Sequence, residues 1–400
     1  MKEQYKSFVN LATGVLIGLA FFIFFTPFNF VSTPLGQYDI FLRVPMVFML
    51  GIFYIHEIFK TKKIDFFLVI FNIYSLLLFL ATVRSHADIV SSIWGRWIVT
   101  DAFIILFILS TKRNQRLFLL SIYITLYLMI LWDMRTTWIP KELWGAEYEN
   151  VFFGNYNYKP IYYFPAIIIG YINSVIYDDK KKWVKISFII LEACIIATSL
   201  YVGSVTAIIT FTGLIIYLNI FNKEKYFKIF NIYVYLIFDA LFFVVIVLCG
   251  YTNGAIGNIL ALLNKAGNFS NRVPIWNVTK EFIIKKPLIG YGVWTTEARQ
   301  ILLNNVPSSV HAHNFYLNTA FESGLLGIIC KAGLLVLGIK NALQIQSDKI
   351  KGGLMAGLGI YLFAAMFESY HDMSFLSIIL VMYLYRDMAC ESQIREFKRC

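Results

Sequence analysis

The sequence predicts an all-α polytopic membrane protein with about 12 transmembrane helices and one large external loop that contains short interfacial helices. Hydrophobic residues make up 58% of the 400 residues and charged residues only 15%, which lies outside the usual range of soluble domains. Apolar runs of about 17–25 residues recur from end to end, and each is long enough to cross roughly 30 Å of hydrocarbon.

Twelve apolar runs alternate with polar connections. The first run, Phe8 to Phe30, lacks a small-residue cleavage site, so it predicts a retained helix and not a signal peptide. The predicted spans cover about 8–30, 39–59, 64–83, 89–110, 117–133, 161–177, 186–202, 205–221, 229–250, 314–338, 352–370 and 374–385.

Basic residues indicate the orientation of these spans. Most of the 35 lysines and arginines lie at the termini and in alternate connections, which the positive-inside rule places in the cytoplasm. We therefore expect a multi-pass protein of the inner or plasma membrane with both termini cytoplasmic. The net charge of +11 is accounted for by this membrane distribution, so no nucleic-acid partner is expected.

The spans divide the chain into three regions. Residues 1–250 hold spans 1–9, residues 251–313 form the large external loop, and residues 314–400 hold the last three spans and a cytoplasmic tail. A shorter external loop near 134–160 is rich in aromatic residues, which suits either a glycan platform or the aromatic belt at headgroup level. Its aromatic residues are Trp138, Trp144, Tyr148, Phe152, Phe153, Tyr156 and Tyr158.

The large external loop has an excess of positive charge. This basic surface favours an anionic ligand such as a diphosphate. Pro274 to Lys286 predicts a short amphipathic helix in the outer interface, with Trp276 as its anchor and Arg272 just before its start, at headgroup depth. The basic residues of the loop are Lys265, Arg272, Lys280, Lys285, Lys286 and Arg299, against Glu281 and Glu297.

Two histidines follow this loop, where the chain re-enters the membrane. If a helix begins near His313, then Ala320, Gly324 and Gly327 share its face and form a small-residue strip, while Glu322 lies on the opposite face. His313 is therefore the better candidate for an active group. His311 could position an acceptor or shape the loop.

Three ordered motifs resemble those of the bacterial O-antigen ligase and polymerase superfamily. His313-Asn314, nine further residues and then Gly324 to Gly327 are similar to its His-Asn-x9-Gly-x-x-Gly signature. Ser270 to Trp276 resembles the "Arg…Ile-Trp" segment of the family, and Pro287 to Gly292 its Pro-x-x-Gly-x-Gly turn. Some ligases have Arg-x3-Leu where this chain has Trp276.

The resemblance implies a membrane-embedded, inverting glycosyltransferase that uses a glycan linked to undecaprenyl diphosphate. By motif position, His313 corresponds to the family's essential histidine and Arg272 to its loop arginine. Neutral His313 would act as base towards an acceptor hydroxyl, and Arg272 would stabilise the departing diphosphate. Neither a metal nor another cofactor is expected, because no carboxylate cluster suits magnesium. Further candidates for binding the diphosphate or the glycan are Arg84, Arg96, Arg299, His311 and Asn314.

Three functions remain open at this point. The preferred one is a polymerase that joins lipid-linked repeat units into capsular, exo- or O-antigen polysaccharide on the outer face of the membrane. Its partners would be the lipid-linked glycan donor, the glycan acceptor, the bilayer, and as candidates a repeat-unit flippase and a chain-length regulator. The alternative is an O-antigen ligase that transfers finished polysaccharide. A transporter or flippase is less favoured, since no repeat relates the halves of the chain.

Charged residues inside the predicted spans indicate function or cross-helix pairing. The sequence does not identify their partners. They include Arg43, Glu192, Asp239 and Lys331.

Overall fold

The computed structural model describes residues 2–27, 30, 39–139, 152–154, 156–177, 181–223, 226, 229–250, 272–303, 311–370 and 372–384. Most of these residues are helical and none of them lies in a β-strand, which confirms the predicted all-α class. The helices, numbered in chain order, are α1 Lys2–Phe24, α2 Asp39–Thr61, α3 Phe66–Arg84, α4 Ile89–Lys112, α5 Asn114–Trp138, α6 Lys159–Ile176, α7 Lys182–Val202, α8 Val205–Phe221, α9 Ile232–Leu248, α10 Arg272–Lys285, α11 Thr296–Leu302, α12 Phe315–Ala342, α13 Asp348–Ala364 and α14 Asp372–Leu384.

Six of these helices are long and apolar enough to cross a membrane: α2, α3, α4, α5, α7 and α12. Four more apolar helices are shorter, namely Val9–Phe24 within α1, α8, α9 and α14. Helices α6 and α13 occupy the remaining predicted spans but belong to neither group. The expected number of about 12 spans is therefore not confirmed, because a helix rises only about 1.5 Å per residue and the shorter ones fall short of about 30 Å.

Burial separates central helices from peripheral ones. Nearly all of α6 and α14 is buried, and α12 packs against both α3 and α14. Helices α1, α2, α7 and α9 each carry exposed large apolar side chains, as expected for surfaces that face lipid. Helix α1 approaches α5 closely through Gly14 and Gly18, where an added Cβ would meet Ser121 and Thr125.

The segment predicted to be external, as far as it is described (272–303 and 311–313), folds onto the start of α12. Its predicted amphipathic helix is α10, which begins at Arg272 itself and not after it. The prediction of Trp276 as an exposed interfacial anchor is wrong. Its side chain is fully buried against Ala312, Leu317 and Met366, so it docks α10 onto the loop that carries the histidines.

Helix α12 is broken at Gly324, which has φ +63° and ψ −164°. The segment that contains Gly290 and Gly292 lies alongside this break and supplies its missing hydrogen bonds. Tyr291 N–H donates to the Phe321 carbonyl (2.8 Å) and Gly292 N–H to the Glu322 carbonyl (2.8 Å). In return, the amides of Leu325 and Leu326 donate to the carbonyls of Pro287 and Leu288 (2.8 and 3.2 Å).

This break corrects the expected small-residue strip on α12. The prediction that Ala320, Gly324 and Gly327 share one helical face assumed a continuous helix from His313. The helix begins only at Phe315 and changes direction at Gly324. Glycine is required there because its backbone lies against Leu288 and Ile289, where no Cβ fits. Gly290 has φ +77°, and an added Cβ would lie 2.5 Å from the Phe321 carbonyl oxygen.

Replacing Gly324 with alanine is expected to destabilise the protein by about 2–6 kcal/mol. A backbone region open almost only to glycine costs about 1–3 kcal/mol for another residue, and overpacking costs about 1–3 kcal/mol more. Thermal unfolding of the purified protein in detergent measures the effect. The matched control is Gly51→Ala in α2, where an added Cβ meets nothing within 4 Å. Equal melting temperatures for the two variants would contradict the proposed need for glycine.

Candidate active site

His313 and Glu368 form a hydrogen-bonded pair at the start of α12. His313 Nδ1 lies 3.0 Å from Glu368 Oε1 and 3.2 Å from Oε2. Glu368 lies in the turn between α13 and α14 and is 4% exposed, whereas the histidine side chain remains 18% exposed. The carboxylate is therefore buried behind a histidine that remains partly accessible.

Arg272 lies on the other side of the same carboxylate. Its Nη2 donates to Glu368 Oε2 over 3.3 Å, and its side chain is 18% exposed. The structure thus brings together both predicted catalytic residues, one from α10 and one from the loop before α12. Glu368 therefore holds the imidazole of His313, the candidate base, close to the guanidinium of Arg272.

The charge state of Glu368 determines the tautomer of His313. Burial alone would raise the pKa of Glu368, but the hydrogen bond from His313 and the electrostatic interactions with His313, His311 and Arg272 hold this pKa below its usual value. An ionised carboxylate can only accept hydrogen bonds, so the proton of a neutral His313 is assigned to Nδ1. Its Nε2 is then the ring nitrogen that can take a proton.

His311 supports the backbone of His313. His313 has φ +44°, a left-handed conformation that is strained for a residue other than glycine. Its N–H donates to His311 Nδ1 over 3.2 Å. Burial lowers the pKa of His311 to about 4, so the ring is neutral at pH 7 and Nδ1 can accept. This geometry agrees with a loop-shaping role for His311.

Asn314 attaches the start of α12 to the turn that carries Glu368. Its side-chain oxygen caps the helix by accepting from Leu317 N–H (2.9 Å), and its Nδ2 donates to the Met366 carbonyl (2.8 Å). Its own N–H donates to Ser369 Oγ (3.0 Å). Asn314 is fully buried and both ends of its amide are occupied, so the geometry supports a structural role and not the expected substrate contact.

A cavity of about 470 Å³ adjoins this site. His311 and Ser369 line it, so it reaches the loop and the turn that carry the pair. Cavities of this size hold small-molecule ligands, and the mixed aromatic and polar wall suits sugar rings. Phe153 and Tyr162 in this wall are stacked 4.0 Å apart. The aromatic residues of the wall are Phe24, Phe25, Phe153, Tyr158, Tyr162, Trp294, Phe315 and Tyr370.

The aromatic loop predicted near 134–160 contributes in part to this wall. Phe153 and Tyr158 line the cavity, which agrees with the glycan-platform alternative. Trp138 instead lies in the last turn of α5 and stacks on Tyr201 (5.6 Å). Trp144 and Tyr148 lie outside the described residues, as do Ser270 and Asn271 of the arginine motif.

Charged side chains from four helices form another part of the cavity wall. Arg96 contacts Glu322 (3.7 Å) and Asp372 (3.2 Å), and it lies in a π-helical stretch, Ser92–Ile98, of the kind often found at functional sites. Lys331 donates to Asp372 over 2.6 Å. Arg299 lies 3.5 Å from Glu322. Two of the three arginines expected to bind substrate, Arg96 and Arg299, therefore line one cavity.

Arg84 is placed elsewhere. It is exposed at the end of α3, near Lys286, and does not line the cavity.

The charged residues inside predicted spans, whose partners the sequence did not identify, gain partners through tertiary packing. Asp239 is the exception, since its Oδ2 has no partner among the described residues. Arg43 Nε donates to the Ile23 carbonyl (3.1 Å), and Glu192 accepts from Asn219 (2.9 Å). Lys331 binds Asp372, as above.

Glu368 is the residue of this candidate site that the sequence did not indicate. It was hidden within the predicted span 352–370, and it contacts His313 across 55 positions of sequence. One signal was available: a carboxylate near the end of a predicted apolar span indicates a buried charge that needs a partner. Asp372 carries the same signal at the start of the next helix.

His311, His313 and Glu368 also have ligand atoms within 4.8 Å of one another, as a metal site would. However, the Nδ1 atoms of both histidines are engaged in hydrogen bonds, and Arg272 lies 3.3 Å from the carboxylate. A divalent cation at this point would be repelled by the guanidinium and would break both histidine hydrogen bonds. The arrangement favours a hydrogen-bonded network over metal coordination.

We expect treatment with a chelator such as EDTA to change glycan transfer less than about twofold. If arginine and not a metal neutralises the diphosphate that the family resemblance implies, removal of divalent ions takes nothing from the site. Transfer is measured before and after chelation with the protein in nanodiscs. Loss of activity that zinc or magnesium restores would assign the three residues to a metal.

One comparison with known protein families gives a match. Residues 166–332 match the model of a family described as O-antigen ligase. No curated protein matches the chain. The matched segment includes Arg272, the 287–292 segment, His313 and the break at Gly324, all placed together by the fold. The family indicates a membrane enzyme of the O-antigen ligase/polymerase type, with lipid-linked glycan substrates. Residues 166–332 therefore belong to the O-antigen ligase/polymerase superfamily, as the sequence motifs predicted.

Proposed function

We propose that the protein polymerises oligosaccharide repeat units carried on undecaprenyl diphosphate, at the outer face of the inner or plasma membrane. One observation carries the proposal: Glu368 holds the partly exposed His313 and Arg272 on its two oxygens. A proton acceptor and a diphosphate-binding cation are the two groups that such a transfer needs.

In the proposed reaction, His313 Nε2 takes the proton of an acceptor hydroxyl as its oxygen bonds to the anomeric carbon of the donor. The bond from that carbon to the diphosphate oxygen breaks, and undecaprenyl diphosphate leaves with the electron pair. Arg272 stabilises the charge that develops on the leaving oxygens. Glu368 stabilises the imidazolium that forms. A single displacement of this kind inverts the anomeric configuration.

The second candidate is a ligase that transfers finished polysaccharide to a lipid or other acceptor. It is favoured by the description of the matched family as O-antigen ligase. The base and the arginine would act in the same way, and only the acceptor and the length of the transferred chain would differ.

Transport receives less support. The break in α12 resembles the discontinuous helices of transporters, which leave backbone groups open to substrate. Here those groups are bound by residues 287–292 of the same chain. Four of the backbone groups at this break are therefore engaged within the chain and not open to a substrate.

Product length distinguishes the two transfer reactions. Cells that carry only the His313→Ala variant are analysed for lipid-linked and finished glycans. Loss of a polymerase leaves single repeat units on the lipid, whereas loss of a ligase leaves long chains on undecaprenyl diphosphate. Glycans indistinguishable from those of wild-type cells would contradict both candidates.

A further inference from the structure

Two cations from different parts of the chain lie together at the end of α3. Arg84 is the last residue of α3 and is exposed, and Lys286 directly follows α10. Lys286 Nζ donates to Ser85 Oγ over 3.1 Å, which brings the ammonium group beside Arg84, and it lies 4.3 Å from the centre of the Tyr291 ring. Burial and then the nearby charge of Arg84 lower the pKa of Lys286.

This pair has an unbalanced positive charge. Among the described residues, no carboxylate forms an ion pair with Arg84 or with Lys286. Two like charges held close together repel each other, and an anion bound between them would offset this repulsion. Both side chains are reachable from outside the protein, since Arg84 is exposed and Lys286 is partly exposed.

The position of the pair along α3 indicates which anion is available there. Helix α3 is long and apolar enough to cross a membrane, so its last residue lies at the level of the lipid headgroups. The hydrogen bond to Ser85 places Lys286 at the same level. Cations at this depth attract the phosphate groups of anionic lipids.

An exposed apolar strip begins beside these cations. Leu288 lies two residues after Lys286, and its carbonyl accepts from an amide of α12, that of Leu326, over 3.2 Å. From this point Leu325, Ile329 and Val336 follow one face of α12, and these three residues and Leu288 are each at least half exposed. At 1.5 Å per residue the face is about 16 Å long, close to one leaflet of a hydrocarbon core that is roughly 30 Å thick.

The apolar strip runs away from the headgroup level. Helices α3 and α12 pack antiparallel, since a Cβ added at Gly327 would lie 3.5 Å from the Tyr74 ring and one added at Gly333 would lie 3.8 Å from Ile70. Further along α12 the neighbouring residues of α3 are therefore further from Arg84. The cations stand above the apolar strip as the phosphate of a phospholipid stands above its acyl chains.

We propose that Arg84 and Lys286 bind the phosphate of an anionic phospholipid, one acyl chain of which lies along the apolar strip. A zwitterionic lipid suits the pair less well, because two neighbouring cations repel the positive group of its headgroup. The bound lipid would hold residues 286–288 against α12 at its break. The proposal does not depend on the glycan-transfer function.

The test compares an anionic lipid with a zwitterionic lipid that has the same chains. Purified protein in detergent is titrated with phosphatidylglycerol and with phosphatidylcholine, and native mass spectrometry counts the bound lipids. We expect one phosphatidylglycerol to bind wild type about 5–25-fold more tightly than phosphatidylcholine, since each cation near a membrane surface contributes roughly fivefold. Arg84→Gln and Lys286→Gln should each reduce this preference, and the double variant should abolish it.

The matched control is Arg135→Gln. Arg135 lies in the last turn of α5, and α4 alone separates α3 from α5, so both helices end on the same side of the membrane. This variant should bind lipid as wild type does. An equal loss of preference in Arg135→Gln would indicate a general attraction of basic residues for anionic lipid and overturn the site.

Three further results would overturn the proposal. The first is equal affinity of wild type for the two lipids, or a preference that survives in the double variant. The second is displacement of the lipid by equimolar glycerophosphoglycerol, the headgroup without its chains, which would assign the cations to a soluble anion. The third is a dimer that excludes the lipid, which would assign the apolar strip to a second copy of the chain. None of these measurements requires transfer activity, so their failure is distinct from failure of the proposed function.

Discussion

Replacing His313 with alanine is expected to slow glycan transfer by about 10²–10⁴-fold, the usual contribution of a positioned general base. The acceptor hydroxyl would then have no nearby group to take its proton. Transfer is measured with purified protein and a synthetic lipid-linked repeat unit. The matched control is His56→Ala, an exposed histidine on α2, which should retain wild-type activity. A His313→Ala variant that is folded and fully active would remove this residue from the mechanism.

The Glu368→Gln variant tests the positioning role of Glu368 separately from the role of His313 as the base. Glutamine keeps the size and one acceptor oxygen, but it carries no charge to stabilise the imidazolium and can no longer specify the tautomer. We expect kcat to fall less than in His313→Ala and the pH profile to shift, with little change in the donor KM. An unchanged pH profile would indicate that Glu368 only packs the turn.

Replacing Arg272 with alanine is the second large effect and should lower kcat by about 10²–10³-fold. That is the loss observed when one preorganised donor to a developing charge is removed from an active site. Arg272→Lys should recover part of the rate, because it keeps the charge but not the bidentate fork. The variant also leaves Glu368 with one cation fewer, so part of the effect passes through His313.

The matched control is Lys285→Ala, which removes an exposed cation from the same helix. Its activity should match that of wild type if the position of Arg272, and not the basic character of α10, determines the rate. Comparable losses in the two variants would contradict the assignment of Arg272 to the leaving group and would indicate a general attraction of the basic loop for anionic lipid.

Much of the helical fold could be predicted from sequence because spans are encoded locally. Each apolar run coincides with a helix of the described chain, and Asp65 and Ser347 cap α3 and α13 as local chemistry dictates. The number of membrane crossings was less predictable. It depends on helix lengths and tilts, and packing determines these more than composition does.

The site could be predicted only as far as its motifs run along the chain. His313 and Arg272 lie in linear motifs, whereas Glu368 reaches them across a tertiary contact that no local pattern encodes. The predicted small-residue face below His313 is wrong because it assumed one regular helix. The backbone is left-handed at His313 (φ +44°) and at Gly324 (φ +63°), and both interrupt that helix. Trp276 was misplaced for a related reason: an aromatic residue on an amphipathic helix suits lipid or protein equally well, and only the docked loop decides between them.

The most direct test of the central claim is a reconstituted transfer reaction. Wild-type protein in nanodiscs is supplied with an undecaprenyl-diphosphate-linked repeat unit of defined anomeric configuration and an acceptor glycan, and the new linkage is determined by NMR. We expect an inverted linkage and one undecaprenyl diphosphate released per bond formed, with both lost in His313→Ala. A linkage of retained configuration, or equal release of undecaprenyl diphosphate by the variant, would contradict direct displacement with His313 as the base.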